Sequence, residues 1–343
     1  MNEAPIKIGL VGFGYWGPNL ARNFHSSEDF DLAVICDTDV NTYSRLSSSH
    51  PKTQIVASFE ELLNVPGLSA VAIATPARTH FAFAKRALQA GKHVLVEKPL
   101  TTASSEAFEL VELAKALDLR LMVDHTFVYS PAVQFLQLYT SDDRLGRLHS
   151  FDSTRINLGL LQHDSNVLWD LAVHDVSILN SITSERPDSV SATGSKIKKT
   201  SQESTAFMTL FYESGFIAHI NVSWFSPVKI RRTIITGEEK MIVYDDLETS
   251  EKIKIYDSGV AFTDSPDDRR QQLVSYRTGD ILSPWIANTE ALRNVVESFA
   301  KSIRSRKPPA TDGRFGLEVV SVIEAATNSM HRYGAQERID FQL

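Results

Sequence analysis

A glycine-rich turn, Gly12-Phe13-Gly14-Tyr15-Trp16-Gly17, stands directly after an apolar run at residues 6–11 and just before Pro18. Proline is tolerated at a helix start, where its missing N–H would have no partner anyway. The turn therefore joins a strand to a helix. Further short runs at 32–36, 70–74, 93–96 and 119–123 are rich in Val, Ile and Leu and are nearly continuous. Strands buried on both faces read this way. Between them lie helical stripes: Phe81, Ala84, Ala87 and Leu88, then Phe108, Val111, Leu113 and Leu117. Strand–helix alternation at this spacing predicts an α/β N-terminal Rossmann domain, a doubly wound parallel sheet, over residues 1–125.

The pattern changes after residue 125. One apolar helix is expected over 167–182. Runs at 205–212 and 216–224 flank Glu213-Ser214-Gly215, and runs at 229–236 and 241–244 flank Gly237-Glu238-Glu239-Lys240. Both pairs are hairpin signals, and 253–256 adds a further strand. Residues 257–280 are polar and read as a surface loop. Two helices, over 289–303 and 315–332, close the chain around Lys307-Pro308-Pro309. Residues 126–343 are thus expected to form an α+β domain with a mostly antiparallel, open-faced sheet, its last helices free to pack back on the first domain. Residues such as Phe207, Thr209 and Phe211, with Ile217, His219 and Asn221, alternate in a way that suits a face shared between two copies.

Each glycine of the turn has a task. Gly12 permits the tight turn, Gly14 lets backbone approach a pyrophosphate, and Gly17 allows close helix–strand packing. The helix N-terminus offers free N–H groups to the phosphates. Asp37 lies 20 residues beyond Gly17, at the end of the second run, where a carboxylate accepts hydrogen bonds from the adenosine ribose. A carboxylate there repels a 2′-phosphate, and no arginine follows directly. The expected cofactor is NAD rather than NADP, held by Gly12, Phe13, Gly14, Tyr15, Trp16, Gly17 and Asp37.

Composition narrows the class. In 343 residues the formal net charge is −7 and hydrophobic residues make up 43%, which excludes a disordered chain. Nucleic acid is not an expected partner, because phosphate contacts need clustered Lys and Arg. A single cysteine, Cys36, excludes an internal disulfide framework. No secretory signal and no membrane-length apolar stretch stand out, so the expected setting is cytoplasmic.

Ligands of open α/β sheets bind beyond the carboxyl ends of the strands. There the sequence places Thr75, Pro76 and His80, then Glu97-Lys98-Pro99, then Asp124-His125-Thr126-Phe127-Val128-Tyr129. Lys98 is suited to donate to a substrate oxygen; a solvated lysine or a partner for Glu97 is the alternative. In the 167–182 helix, Asp170, His174, Ser177 and Ser181 form a polar seam. It is either a pocket lining or a solvent-facing stripe, and Asp175, off the seam, reads as structural. His163, Asp164, Asp170 and His174 do not make a zinc-type cluster, and no metal is expected.

The glycine turn, Glu97-Lys98-Pro99 and the Asp170/His174 spacing together resemble the Gfo/Idh/MocA oxidoreductases over nearly the whole chain. That resemblance implies a dehydrogenase in which His174 is the general base for a substrate hydroxyl and Lys98 hydrogen-bonds the same oxygen. Asp170 would bind a neighbouring hydroxyl or steady His174. It also implies a cis peptide before Pro99 and Thr75, Pro76, His80 and Glu97 as further cofactor contacts. Gly14-Tyr15-Trp16-Gly17-Pro18-Asn19-Leu20, His125-Thr126-Phe127-Val128-Tyr129 and Trp169-Asp170-Leu171-Ala172-Val173-His174-Asp175 are similar to a subgroup, the nucleotide-sugar 3-dehydrogenases. Its members act at C3 of UDP-N-acetylglucosamine or its uronic acid. His125, Phe127, Tyr129, Arg155 and Asn157 are then substrate contacts, with Arg155 the candidate for a diphosphate and Arg231 and Arg232 weaker ones. Two alternatives stay open: a free-sugar or inositol dehydrogenase, and a non-catalytic dinucleotide-binding regulator. The resemblance also implies a homodimer or homotetramer through the open sheet face.

Overall fold

A computed structural model of the chain describes residues 4–159, 165–197, 202–261 and 275–341. The chain divides into two compact units. One is Met1–Ser130 with Thr289–Glu324 and Asp340–Leu343; the other is Pro131–Asn288 with Ala325–Ile339.

The first unit is built on β1 (Ile6–Val11), β2 (Phe30–Cys36), β3 (Gln54–Val56), β4 (Ala70–Ile73), β5 (His93–Glu97) and β6 (Leu121–Asp124). They form one six-stranded sheet in the order β3-β2-β1-β4-β5-β6, and every pairing is parallel. The chain builds outward from β1 to β3, then returns to the other side of β1 with β4. The order reverses there, so a crevice opens beyond the strand ends at that point. β3 is a three-residue edge strand that no apolar run announces.

Helices α1 (Gly17–Ser26), α2 (Tyr43–Ser49), α3 (Phe59–Leu63), α4 (His80–Gln89) and α5 (Ser104–Ala116) alternate with the strands. In α5 the buried face is Ser104, Ala107, Leu110, Val111 and Ala114. The expected stripe shared only Val111 with it; Phe108 and Leu117 are exposed. Small residues let this helix sit close to its neighbours, which a stripe of large apolar residues would not.

The second unit begins with α6 (Pro131–Ser141) and carries α7 (Val173–Ile182). Its strands are β7 (Leu148–Leu158), β8 (Ser189–Ser195), β9 (Thr205–Phe211), β10 (Ile217–Ser223), β11 (Phe225–Gly237), β12 (Met241–Asp245), β13 (Ile253–Ala261), β14 (Ser275–Leu282) and β15 (Glu337–Arg338). The sheet order is β14-β13-β12-β11-β7-β10-β9-β8-β15. All pairings are antiparallel except β7 with β10. Both expected hairpins are present. The 257–280 segment is not simply a loop: β13 runs to Ala261 and pairs with β14, while 262–274 lie outside the described residues.

β7 sits inside the sheet yet gives no hydrophobic alternation. Its buried face is Phe151, Ser153 and Arg155. Two of those three are polar, so the period-two signal disappears. In β9 and β10, Ala206, Met208 and Leu210 with Ala218, Ile220 and Val222 are buried. The opposite face carries Phe207 and Ile217, which are 46% and 41% exposed. Across it Thr209 and His219 hydrogen-bond at 3.1 Å.

Two helices close the chain, α8 (Ala291–Ser305) and α9 (Gly313–His331). Leu292, Val295, Val296, Phe299 and Ala300 of α8 share one buried cluster with Ile8, Leu10, Leu20, Phe24 and Phe30. Phe299 stacks on Phe30 at 6.0 Å, and Arg22 pairs with Glu290. Residues Thr289–Glu324 thus belong to the first unit although they follow Pro131–Asn288 of the second in sequence. The apolar stripe of α8 completes the core of the parallel-sheet unit, and α9 belongs to that unit as far as Glu324. No described helix is long and apolar enough to cross a membrane.

Candidate active site

The glycine loop has the shape that its residues require. Gly12 has φ +92°, and a Cβ there would lie 2.6 Å from the Ala74 carbonyl oxygen. At Gly17 a Cβ would lie 2.2 Å from the Gly12 carbonyl oxygen. Around Gly14 nothing stands within 4 Å, which leaves the backbone open to a ligand. Phe13 is buried and turns its ring inward, beneath the Arg45 guanidinium at 5.2 Å. Its backbone N–H donates to Asp37 Oδ2 at 2.5 Å, and Asp37 Oδ1 accepts from the Asp39 N–H at 2.8 Å. Each carboxylate oxygen keeps a second lone pair for ribose hydroxyls. Tyr15 is 87% exposed and stacks on the half-buried Trp16. A cradle with no room for side chains, an open backbone face and an acid at the end of β2 fit a dinucleotide.

The carboxyl ends of β4, β5 and β6 carry the next group. The expected contact His80 is almost wholly buried. Its Nδ1 lies 2.7 Å from the Pro99 carbonyl oxygen and its Nε2 2.8 Å from that of Thr75. Both ring nitrogens thus lie against carbonyl oxygens within the protein, the protonated one donating, and His80 sits between the two loops. Burial pushes its pKa down, and the two carbonyls push it back up. Thr75 is half-buried, with its hydroxyl accepting from Thr79 at 2.7 Å, and Pro76 is exposed. The Lys98–Pro99 peptide is cis, and Lys98 is half-buried. Glu97 is buried, and desolvation with the neighbouring Asp124 charge holds its carboxyl well above the usual range.

Beyond β6 the expected substrate contacts turn inward. His125 is 1% exposed, and burial, helped by Lys98, pushes its pKa down to about 3. Its ring edge meets Phe315 at 5.5 Å. Tyr129 is 4% exposed; its hydroxyl is 3.1 Å from Thr311 Oγ1 and accepts from the Thr311 N–H at 3.2 Å. A tight helical turn at Thr126–Tyr129 sends these side chains into the core. Phe127 stays half-buried.

In the second unit the segment Leu168–Ala172 is π-helical and runs into α7. Such wide turns recur at functional sites because they re-aim side chains. Asn166 Oδ1 accepts from the Leu168 N–H at 3.0 Å and so starts the segment. Asp170 and His174 are both half-buried. Asp170 Oδ2 accepts from the buried Trp224 indole N–H at 2.8 Å. Ser177 and Ser181 bond back to the carbonyls of His174 and Ile178; Ser177 is fully buried, so the seam is not a solvent stripe. Asn157, half-buried, and Trp224 both approach Gly159.

Arg155 departs from its expected role. It is 5% exposed, and its Nε and Nη2 donate to Asp175 Oδ2 and Oδ1 at 2.8 and 3.1 Å. Ser153 Oγ donates to Asp175 Oδ1 at 2.8 Å. This two-pronged ion pair ties α7 to β7 and occupies the guanidinium. Arg231 is taken by Asp246 at 3.2 Å. Sequence reasoning missed Trp224 and Asn166. Only the aromatic ending of the β10 run hinted at Trp224. Among the described residues no group of three or more His, Cys, Asp or Glu stands together to hold a metal; His163 and Asp164 lie outside them.

A dinucleotide cradle on a parallel sheet, followed by an open antiparallel sheet whose helix presents an acid and a histidine, defines a nicotinamide-dependent oxidoreductase. Two family models match the chain, the "Oxidoreductase family, NAD-binding Rossmann fold" over residues 6–125 and the "GFO/IDH/MocA C-terminal domain" over 136–243. The chain belongs to the Gfo/Idh/MocA oxidoreductase family and is a dehydrogenase. It is similar to UDP-N-acetylglucosamine 3-dehydrogenase of Acidithiobacillus ferrooxidans, with 26% identity over 92% of this chain and 94% of that one. The solved structure of that protein matches with a TM-score of 0.80 at 25% identity, over 96% of this chain and 98% of that one. Myo-inositol 2-dehydrogenase of Thermotoga maritima is 22% identical over 95% of this chain and 96% of its own. A structure of GenD2 from gentamicin A biosynthesis, in complex with NAD, shares the fold with a TM-score of 0.82 at 21% identity, over 98% of this chain and 97% of that one.

Proposed function

We propose that this protein is an NAD-dependent dehydrogenase acting on a secondary hydroxyl of a sugar, with C3 of a UDP-sugar as its substrate position. The observation that carries the substrate class is the similarity, over 92% of the chain, to a UDP-N-acetylglucosamine 3-dehydrogenase. NAD is the cofactor because Asp37 closes the β2 end with negative charge, which a 2′-phosphate would meet at a cost.

When bound, the nicotinamide supplies the carbon that exchanges a hydride with the substrate. The chain's own residues move the proton and hold the charge. His174 takes the proton of the reacting hydroxyl as general base. Lys98 donates a hydrogen bond to that oxygen and stabilises the negative charge that develops on it. Asp170, fixed by Trp224, binds a neighbouring hydroxyl or orients His174. Gly14 and the N-terminus of α1 receive the cofactor's pyrophosphate, and Asp37 its adenosine ribose. Asn157 and Phe127, both half-buried, are the remaining sugar contacts. Two copies meet through the open sheet face around Phe207 and Ile217, and the setting is cytoplasmic.

The test is a panel of UDP-sugars and free polyols with NAD, followed by absorbance of the reduced nicotinamide, with a 2-keto acid present to recycle retained cofactor. Turnover of UDP-sugars supports the assignment. Turnover of free polyols alone selects the second reading, an inositol-type dehydrogenase, which the Thermotoga relative favours. Tight cofactor binding with no turnover of either selects a regulator.

A further inference from the structure

Phe13 is gripped at both of its backbone groups. Its N–H donates to Asp37 Oδ2 at 2.5 Å, and its carbonyl oxygen accepts from Arg45 Nη2 at 3.2 Å. The same guanidinium lies over the Phe13 ring, 5.2 Å from its centroid. That ring is buried and packs edge-on with His50 at 6.1 Å. Arg45 stands on α2, which Leu46 anchors in the core. The residue is exposed, and water would solvate its cation fully in an extended conformation. Instead the guanidinium folds back, without a carboxylate partner among the described residues, and makes both of its contacts with Phe13.

The carbonyl that Arg45 holds belongs to the peptide unit joining Phe13 to Gly14. A trans peptide is planar, so its C=O and the N–H of the next residue point in opposite directions. Fixing the Phe13 oxygen toward α2 therefore aims the Gly14 N–H away from α2. That N–H has no acceptor among the described residues, and a Cβ built on Gly14 would meet nothing within 4 Å. Glycine adopts either sign of φ with nearly equal ease. Gly14 by itself therefore does little to resist rotation of this peptide, and the Phe13 oxygen takes no other hydrogen bond among the described residues. A hydrogen bond from a cation also polarises the peptide, which makes its N–H a stronger donor.

We propose that Arg45 is a positioning residue for the cofactor: by holding the Phe13 carbonyl it pre-aims the Gly14 N–H at the pyrophosphate. This rests on the reading of Gly14 as the pyrophosphate contact, given above, and its test does not use turnover. Asp37 and Arg45 then divide the work on one residue. The acid fixes the N–H side of Phe13 and serves the ribose, and the cation fixes the carbonyl side and serves the phosphates without touching them. A donor already aimed at its acceptor saves the ordering cost that a freely turning glycine peptide would add on binding.

Two measurements on the full chain test this. The first compares binding of NAD and of adenosine, which keeps the ribose but lacks the pyrophosphate. Arg45→Ala is expected to weaken NAD about 10-fold, the scale of one hydrogen bond involving a charged group, and to leave adenosine binding as it was. The second is a nitrogen-15 spectrum of the protein labelled at glycine, with the Gly14 amide identified by its loss in Gly14→Ala. In Arg45→Ala without ligand, the Gly14 signal is expected to shift or broaden as its peptide loses a fixed orientation. Unchanged NAD affinity, an equal loss for adenosine, or an unmoved Gly14 signal overturns the proposal. An equal loss would mean that Arg45 touches the nucleoside or holds the whole loop. If the unaltered protein binds no NAD, the cradle itself falls and this role with it. If it binds NAD and the substrate panel shows no turnover, only the catalytic reading falls.

Discussion

The backbone N–H of Phe13 donates to the Asp37 carboxylate at 2.5 Å, so the acid that ends β2 and the loop that follows β1 form one hydrogen-bonded unit. A single side chain shapes the loop, and its remaining lone pairs are those assigned above, as a proposal, to the adenosine ribose. Asp37→Ala is expected to weaken NAD binding about 10- to 100-fold, the range for a lost hydrogen bond to a charged group, and to narrow the preference over NADP. Calorimetric titration with both cofactors measures this, and unchanged affinities would remove Asp37 from the cofactor site.

Gly12 cannot take a side chain. Its positive φ and the nearby Ala74 carbonyl oxygen both oppose a Cβ. Gly12→Ala is expected to cost ~1–3 kcal/mol of backbone strain and to abolish tight NAD binding. Unfolding by urea with and without NAD separates the two effects: stabilisation by NAD should largely vanish. Retention of that stabilisation argues against the cradle.

Arg155 and Asp175 are 6% and 2% exposed at their side chains. Breaking one partner of such a buried pair costs about 3–5 kcal/mol, because the other charge is left uncompensated. Arg155→Met and Asp175→Asn should each lower the midpoint of thermal unfolding strongly, and the Arg155→Met/Asp175→Leu double variant should recover part of the loss. If Arg155→Met instead left stability intact and raised KM for the sugar, the guanidinium would belong to the substrate site.

His174→Ala and Lys98→Ala are expected to reduce turnover ~100-fold or more, as for loss of a general base or an oxyanion donor, with NAD affinity little changed. Stopped-flow traces of nicotinamide reduction and a separate binding titration give the two quantities. Full turnover in both variants sinks the catalytic assignment.

His125 supplies a pH effect with a definite sign. Its folded pKa is about 3, below the ordinary 6.5, because burial disfavours the imidazolium. Between those values the unfolded chain binds a proton that the folded chain does not, so stability falls as pH drops from 6.5 toward 3. The contribution is fully present above pH 6.5. His50, His80 and His93 are shifted in the same direction, so the diagnostic is a difference. Melting midpoints of His125→Asn are expected to fall less steeply with acid than those of the unaltered protein. Parallel slopes would show that His125 takes up its proton in both states.

The local geometry of the candidate site was legible where it is written in near neighbours. The loop from Gly12 to Gly17 lies within one turn, and the acid of β2 falls at a spacing set by one helix and one strand. Asp170 and His174 are four residues apart, and the structure keeps both half-buried on one segment. What the spacing could not show was the π-helical turn beneath Asp170, or that Trp224, 54 residues on, takes one of its oxygens.

The sequence by itself determined the two kinds of sheet, the strand–turn–helix cradle with its acid, and the residue types fit for hydride chemistry. Those features depend on local periodicity and on backbone sterics, which act between residues close in the chain. Only the tertiary structure decided which polar side chains remain available. Tyr129 gives its hydroxyl to Thr311, 182 residues away, and Arg155 its guanidinium to Asp175. His80 has its two nitrogens against the backbone carbonyls of two loops. β5 and β6 place Glu97 beside Asp124, and α8 fills a core begun at β1. A buried polar group takes whatever partner packing brings within reach, and that partner is chosen by strand register and helix docking.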